Sequence, residues 1–472
     1  MEGVRKKLAC EVLVDLDGAG PGPLHERLTR QLRTAIRNGV LTADSPLPPS
    51  RALAADLGCS RWVVTQAYEQ LVAEGYLTAR TGSATRVRRV ESDTARRRPT
   101  RTTRRTSTQD SWVRYDLAPG LPDLREFPRR QWAETVRSRL STLPYTELGY
   151  VPEHGLPALR EGLAGYLRRV RGADAAAADI TITSSVTAGV TRLCALLRAE
   201  GVRRIAVEDP GWTRLRDAIA RTGLEIVGIP VDDHGLVVHA LDDRPDVRAV
   251  LVTPAHQFPT GVVLAPERRT ALLAWARRVD GLVLEDDYDA EFRYDRRPIG
   301  TVQGADPSRV ALFGSLSKTL SPAIGLGWMA TPPRWTEADR AAQPVPSPPS
   351  GLEQLAFTAF LGTGGYDRHL RSGRQRYRRR RDALVAALAE RLPHCSISGI
   401  AAGLHLVLHL PTGTSAARVV ETAAEAGVRV ADLDGYRSSP DPADPALVLG
   451  YGNLPDSSVE TAVELLAKAI AG

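Results

Sequence analysis

The sequence of 472 residues predicts an α/β chain in two unequal parts, a small winged helix-turn-helix followed by a large unit on a mainly parallel sheet. Three observations carry this expectation. Before residue 90, apolar residues recur at helical spacing in three short segments punctuated by Gly39, Gly58 and Gly75. After residue 112, apolar strands ending in polar turns, near 180, 282 and 312, are separated by helical stretches, the pattern of a parallel sheet with crossover helices. Residues 91–112 lie between them without apolar periodicity. The reading is therefore a domain over 1–90, a linker over 91–112 and a second domain over 113–472.

Composition narrows the class. The chain is 43% hydrophobic but holds no apolar run near the 18 residues of a membrane span, and Met1 to Cys10 lacks the apolar centre of a signal peptide. A cytoplasmic protein is expected. Cys10, Cys59, Cys194 and Cys395 are scattered without C-x-x-C spacing, so neither a metal site nor a disulfide framework is expected. The formal charge of +7 is clustered towards the N-terminus, which suits a polyanionic partner.

The first element is an amphipathic helix over 23–38, with Leu24, Leu28, Leu32, Ala35 and Ile36 on one stripe and Asn38-Gly39 closing it. After Leu47-Pro-Pro, Ser50 is expected to cap a short helix, Arg51 to Leu57, that stops at Gly58. Ser60 is expected to cap the next, Arg61 to Glu74. Its stripe of Val64, Ala67, Tyr68 and Leu71 turns Arg61, Trp62, Thr65 and Gln66 outward near the N-terminus, where a helix-turn-helix reads base edges. Tyr76–Arg80 and Thr85–Arg89 then form a hairpin about Thr81–Ala84, a wing whose amides and arginines meet phosphates. The wording Leu-Pro-Pro-Ser-Arg-Ala-Leu-Ala, Ser-Arg at the helix start, Glu-Gly-Tyr-Leu and Gly-Ser-Ala-Thr closely resembles the GntR family of bacterial regulators. The resemblance implies an operator duplex as partner and DNA contacts from Arg51, Ser60, Arg61 and the wing glycine, Gly82. Ala84 departs from it, standing where the family commonly has glycine.

The linker carries Arg96, Arg97, Arg98, Arg101, Arg104 and Arg105 among Ser and Thr, a composition that does not fold. As a flexible tether it would span on the order of 25 Å.

In the large unit, Leu312-Phe-Gly-Ser-Leu-Ser-Lys318 is a strand ending in a turn that presents an amine between Ser315 and Ser317. Such an amine can form a Schiff base with an aldehyde, while the hydroxyls and turn amides hold a phosphate, which is the chemistry of pyridoxal phosphate. About one strand-helix unit upstream, Leu284-Glu-Asp-Asp-Tyr-Asp supplies Asp286 to keep a pyridine nitrogen protonated and Tyr288 to reach a phenolic oxygen. Ile180 to Thr187 reads as a strand entering a helix, offering amides and the Ser185 and Thr187 hydroxyls to an anion.

The order of Glu208-Asp-Pro-Gly-Trp212, Thr253-Pro-Ala-His-Gln-Phe-Pro-Thr-Gly261, the acidic stretch and the lysine resembles fold-type I aminotransferases. With the N-terminal unit, nearly the whole chain resembles the MocR or GabR subfamily, in which a GntR-type domain precedes an aminotransferase-like domain with a smaller C-terminal α+β subdomain. The resemblance implies that Trp212 stacks on the cofactor ring and that Arg214 meets a ligand carboxylate.

Departures bear on function. Ser185, Val186 and Thr187 replace the family's glycine, small residue and glutamine. Phe258 stands where ordinary aminotransferases carry an asparagine, leaving the phenolic contact to Tyr288. Gly325 replaces a phosphate-binding arginine seven residues after the lysine, and Val448 replaces the arginine that holds an α-carboxylate, with Arg437 as a candidate substitute. The expected function is a homodimeric transcription regulator that binds pyridoxal phosphate through Lys318 and senses the cofactor itself or an amine, with transamination weak at most. The alternatives are an active aminotransferase carrying a DNA-binding appendage, and a degenerate domain that no longer binds cofactor.

Overall fold

The computed structural model describes residues 22–79, 84–88, 113–294, 299–342 and 347–471, and the chain divides into two units at Thr106/Ser107. In the small unit α1 (Leu24–Arg37), α2 (Ser50–Asp56) and α3 (Arg61–Ala73) precede the antiparallel pair β1 (Leu77–Thr78) and β2 (Arg86–Val87). Leu28, Leu32, Val64, Ala67 and Leu71 are fully enclosed and share one apolar cluster with Leu47, Leu53 and Val87. Three helices and the hairpin thus meet on one core, and α2 and α3 turn about Gly58, whose φ of 61° lies in the left-handed region.

Neither expected serine cap forms. Pro49 takes the N-cap position, Ser50 opens α2 as its first residue, and the Ser50 hydroxyl accepts from Arg61 Nε at 3.3 Å. Ser60 does occupy the N-cap position of α3, yet its hydroxyl makes no capping bond; it is exposed, where water competes for it. Thr81, Gly82 and Ser83 of the wing turn and the arginine-rich linker lie outside the described residues.

The large unit opens with β3 (Tyr115–Asp116), α4 (Arg129–Thr142) and α5 (Pro157–Arg171). Then follow β4 (Ile180–Thr183), α6 (Val186–Ala199), β5 (Arg204–Asp209), α7 (Thr213–Ala220), β6 (Glu225–Asp232), β7 (Gly235–Leu236), β8 (Val247–Val252), α8 (Pro266–Arg278), β9 (Leu282–Asp286), β10 (Val310–Ser315) and β11 (Gly327–Ala330). Their sheet has the order β4-β11-β10-β9-β8-β5-β6-β7. Strands β6, β5, β8, β9 and β10 run parallel, and β11 lies antiparallel between β10 and β4. Every residue of β9 and β10 is buried, as a sheet covered on both faces requires. Apolar clusters around Leu193 and Phe313 on one face, and around Trp275 and Val283 on the other, do the covering.

The chain continues through α9 (Pro333–Ala341), α10 (Gly351–Gly362) and α11 (Gly365–Arg391) into a smaller subdomain of β12 (Ser396–Ser398), β13 (His405–His409), α12 (Ala416–Glu425), β14 (Val428–Arg429), β15 (Ala431–Asp432), β16 (Ala446–Gly450) and α13 (Val459–Ala471). Its antiparallel sheet has the order β12-β13-β16-β15. Strand β14 pairs in parallel with β3, and Arg429 grips Asp116 through two bonds of 2.9 and 2.6 Å. The first strand of the unit is therefore stitched to its last subdomain. Beyond β3, residues 118–121 press on β16 and the turn after it, where Gly450 and Gly452 leave no room for a Cβ against the carbonyls of Ala118 and Leu121. That course carries Gly120 to the carboxyl ends of the parallel strands, where open α/β sheets bind ligands.

Candidate functional site

A cavity of about 690 Å³ opens at those strand ends. Ser185 after β4, Glu208 in β5, Thr253 after β8, Asp286 at the end of β9 and Ser315 at the end of β10 all line it. Thr187, Trp212, Arg214, Tyr288, Ser317 and Lys318 line the same cavity, so every residue expected from sequence to hold cofactor or ligand meets there.

Lys318 is held at the centre. Its Nζ donates to the Gly120 carbonyl. Burial pushes the amine below the ordinary lysine range, against the opposing pull of Asp289 and Asp286. A lowered pKa enlarges the fraction of neutral amine, the form that attacks a carbonyl. Asp286 is buried beside it, and its Oδ1 is enclosed with no hydrogen-bond partner among the described residues. Burial and the neighbouring Asp287 push this carboxyl up to about 8. An enclosed carboxylate oxygen without a donor is costly unless a ligand supplies one.

Tyr288 is positioned through His256. The Tyr288 hydroxyl lies 3.1 Å from His256 Nδ1, and the same nitrogen faces both Asp289 oxygens at 3.0 and 3.2 Å. Carboxylate oxygens accept, so Nδ1 directs its proton to Asp289 and the phenol keeps its own for donation into the cavity. Burial, then Asp289 and Asp286, push the phenol well above its ordinary range, so it stays protonated. His405 joins His256 and Asp289 in a buried group whose ligand atoms lie within 4.8 Å of one another. Its Nε2 is 3.0 Å from the Pro259 carbonyl, and burial lowers its pKa well below the usual value, which keeps the ring neutral.

Hydroxyls and amides form the anion end. Ser185 caps α6 by accepting from Ala188 N at 3.1 Å, which leaves its own proton to donate alongside the free amides of the first helical turn. Gly325 is not among the cavity-lining residues; it closes a 3-10 turn at φ 64°. The cations lining the cavity are Lys318, Arg214 and Arg216. Arg216 is engaged by Asp209, Ser438 and the Tyr436 carbonyl, at 3.4, 3.1 and 2.8 Å.

The valine that stands in place of a carboxylate-binding arginine does not line the cavity. Val448 is fully buried in β16 against Val407 and Leu433. Arg437 does not replace it: its guanidinium is spent on Asp434 at 2.8 Å and Asp444 at 2.6 Å, away from the lining. Arg214 is exposed at the cavity wall. Trp212 is 38% exposed and faces the cavity, so it is no core tryptophan.

Sequence reasoning did not find Glu208, the Asp289–His256–His405 group or Gly120. Glu208 Oε2 accepts from the Thr253 amide and hydroxyl at 3.1 and 2.5 Å, and burial pushes its carboxyl up to about 7.

In the small unit, Arg51, Ser60, Arg61 and Trp62 are exposed on one side of the α2–α3 turn. Thr65 and Gln66 are half-buried, with the Thr65 hydroxyl donating to the Arg61 carbonyl at 3.0 Å and Gln66 to Glu69 at 2.9 Å. Trp62 packs edge-on against His25 of α1, centroids 5.4 Å apart, and remains 60% exposed.

Comparison with known proteins agrees with both units. Residues 124–435 match the family model for aminotransferase class I and II, and residues 24–87 match that for bacterial regulatory proteins of the gntR family. The HTH-type pyridoxine biosynthesis transcriptional regulator PdxR of Corynebacterium glutamicum is 32% identical over 98% of this chain and 99% of its own. The probable rhizopine catabolism regulatory protein MocR of Rhizobium meliloti is 31% identical over 96% and 95%. Among solved structures, an archaeal alanine:glyoxylate aminotransferase superposes with a TM-score of 0.70 at 25% identity, covering 76% of this chain and 90% of that one.

Proposed function

We propose, from the premise that the chain belongs to the aminotransferase class I and II family and to the MocR-type gntR regulators, that it is a DNA-binding transcription regulator which holds pyridoxal phosphate in the large-unit cavity and responds to that cofactor or to an amine. One observation carries the cofactor reading: Lys318 Nζ and the partnerless Asp286 Oδ1 line the same cavity. The residues fit the group. Asp286 would hold its ring nitrogen protonated, Tyr288 would donate to its phenolic oxygen, Trp212 would cover a ring face, and the Ser185, Ser315 and Ser317 hydroxyls with the α6 amides would take its phosphate. Bound there, pyridoxal phosphate supplies an aldehyde for amines and an electron-withdrawing ring.

This chain's own residues argue for sensing over turnover. The buried Val448 and the engaged Arg437 leave Arg214 as the cavity arginine open to a carboxylate, and a lost charge-assisted bond costs roughly 1.5 to 3 kcal/mol. Common α-amino acids should therefore bind weakly, which disfavours the active aminotransferase. A phosphate end without a guanidinium holds the cofactor less tightly, which suits a sensor of its concentration. PdxR, named for pyridoxine biosynthesis, is a relative consistent with that signal.

We further propose a cytoplasmic homodimer, with 1–90 as the DNA-binding domain, 91–112 as the tether and 113–472 as the effector domain. Among the described residues no helix is long and apolar enough to cross a membrane. Tyr145, Leu148 and Tyr150 are 85%, 59% and 106% exposed within a few residues of one another, an apolar surface that a second copy would cover. The test of the cofactor reading is the absorption spectrum of protein reconstituted with excess pyridoxal phosphate. A visible band that borohydride removes is expected in the wild type and absent from Lys318→Ala; a wild type with no such band contradicts the proposal.

A further inference from the structure

The whole formal excess of +7 lies in residues 1–112, so residues 113–472 are neutral in sum. Within that neutral unit the charge is separated. Helix α11 alone holds nine arginines against two aspartates and one glutamate. Some of these arginines are structural: Arg380 is buried on Asp123 and Asp456, Arg376 pairs with Glu126 and Arg374 donates to the Glu291 carbonyl. Arg381 is largely covered and lies 3.7 Å from Asp382; the others face solvent.

Positions 368, 371, 375, 378, 379 and 382 fall on one side of an α-helix, opposite the buried Tyr366, Leu370, Tyr377 and Leu384. All six are exposed, and they read Arg, Arg, Gln, Arg, Arg and Asp. Asp382 is the one acid on this face and lies 3.9 Å from Arg378. Arg368 meets only the Thr363 carbonyl, and Arg371 and Arg379 have no hydrogen bond or ion pair among the described residues. Four guanidinium groups therefore stand along about 16 Å of helix with little internal neutralisation.

A solvated protein face normally intersperses the two signs, since like charges repel and oppositely charged i,i+4 neighbours stabilise a helix. A row of arginines with so few partners is complementary to a row of anions. Duplex DNA offers one phosphate per ~1.7 Å of axis, and planar guanidinium groups bind phosphate in forked pairs.

We propose that the exposed face of α11 is a second, sequence-independent DNA-binding surface, which grips the duplex flanking the operator through phosphates. The inference rests on the DNA-binding reading of the N-terminal unit and adds a contact from the effector domain. Arg368, Arg371, Arg378 and Arg379 are the contact residues. None of them lines the cofactor cavity.

The experiment compares full-length wild type with a variant carrying Arg368→Gln, Arg371→Gln, Arg378→Gln and Arg379→Gln. Each is titrated against a minimal operator and against the same operator extended by about two helical turns of unrelated sequence on each side. The wild type should bind the extended duplex more tightly and with a steeper salt dependence. The Gln variant should bind the minimal operator as the wild type does. On the extended duplex it should lose roughly tenfold or more at low salt, with the log–log salt slope falling by about 0.9 for each phosphate contact removed. Lysines at the four positions should restore most of the difference, and the cofactor spectrum of both variants should match the wild type, which excludes misfolding. Equal affinity and equal slope for wild type and Gln variant on the extended duplex overturn the proposal. A wild type that binds neither duplex overturns the DNA-binding reading beneath it.

Discussion

At the scale of single residues, the site is governed by one buried carboxyl facing one buried amine. Without a ligand Asp286 is raised to about 8 against an ordinary 3.8, so it keeps a proton that the unfolded chain has already released. Between those two values the unfolded state binds fewer protons than the folded one, and stability falls as pH rises, by up to about 1.4 kcal/mol per pH unit for the one group. The effect is absent below the lower value and complete above the upper one. Cofactor-free wild type should therefore lose melting temperature from pH 6 to pH 8 more steeply than Asp286→Asn does; parallel slopes contradict the assignment. Glu208 and Glu285, each raised to about 7 by burial, add to the slope of both proteins. That Asp286, Tyr288 and Lys318 line one cavity was legible because each ends or follows a strand in recognisable wording. Gly120, Asp289 and His405 were not, because their roles arise from contacts such as His405 with Pro259, 146 residues apart. No local pattern encodes such a distance.

At the scale of elements, helices and strands followed periodicity, while their ends followed details that periodicity does not carry. The stripe of Val64, Ala67, Tyr68 and Leu71 is buried as expected, and Val63 joins it. The serine caps failed because a proline before Ser50 already fixes the entry to α2, and because an exposed hydroxyl at Ser60 has water to bond. The Ser60 hydroxyl makes no capping bond beside Arg61, which is compatible with the proposed phosphate contact. Arg51→Ala and Arg61→Ala should each weaken operator binding by about 1 to 3 kcal/mol while the cofactor band is unchanged. Gel-shift affinity unchanged in both removes the contact assignment. Elsewhere, α5 is tied to the segment after β9 by Arg171, which grips Asp287 at 2.7 and 3.0 Å with both side chains buried. Asp287→Ala leaves that guanidinium enclosed and unpaired, and chemical denaturation should show a loss of about 3 to 5 kcal/mol. A loss below 1 kcal/mol means the pair is dispensable.

At the scale of the whole molecule, the sequence was most informative about which chemistry each unit carries and least informative about the partners that individual charged side chains take up. Val448 and Gly325 could be recognised as departures from sequence, but the fate of Arg437 depended on Asp434 and Asp444 folding back on it. If occupancy of Lys318 changes DNA binding, operator affinity titrated with pyridoxal phosphate must follow the visible band in the same samples. In the wild type, affinity should shift over the cofactor range in which the band appears, and saturating cofactor plus common α-amino acids should add little. In Lys318→Ala neither change should occur. An affinity that is indifferent to the cofactor in the wild type, or that shifts equally in Lys318→Ala, contradicts the account.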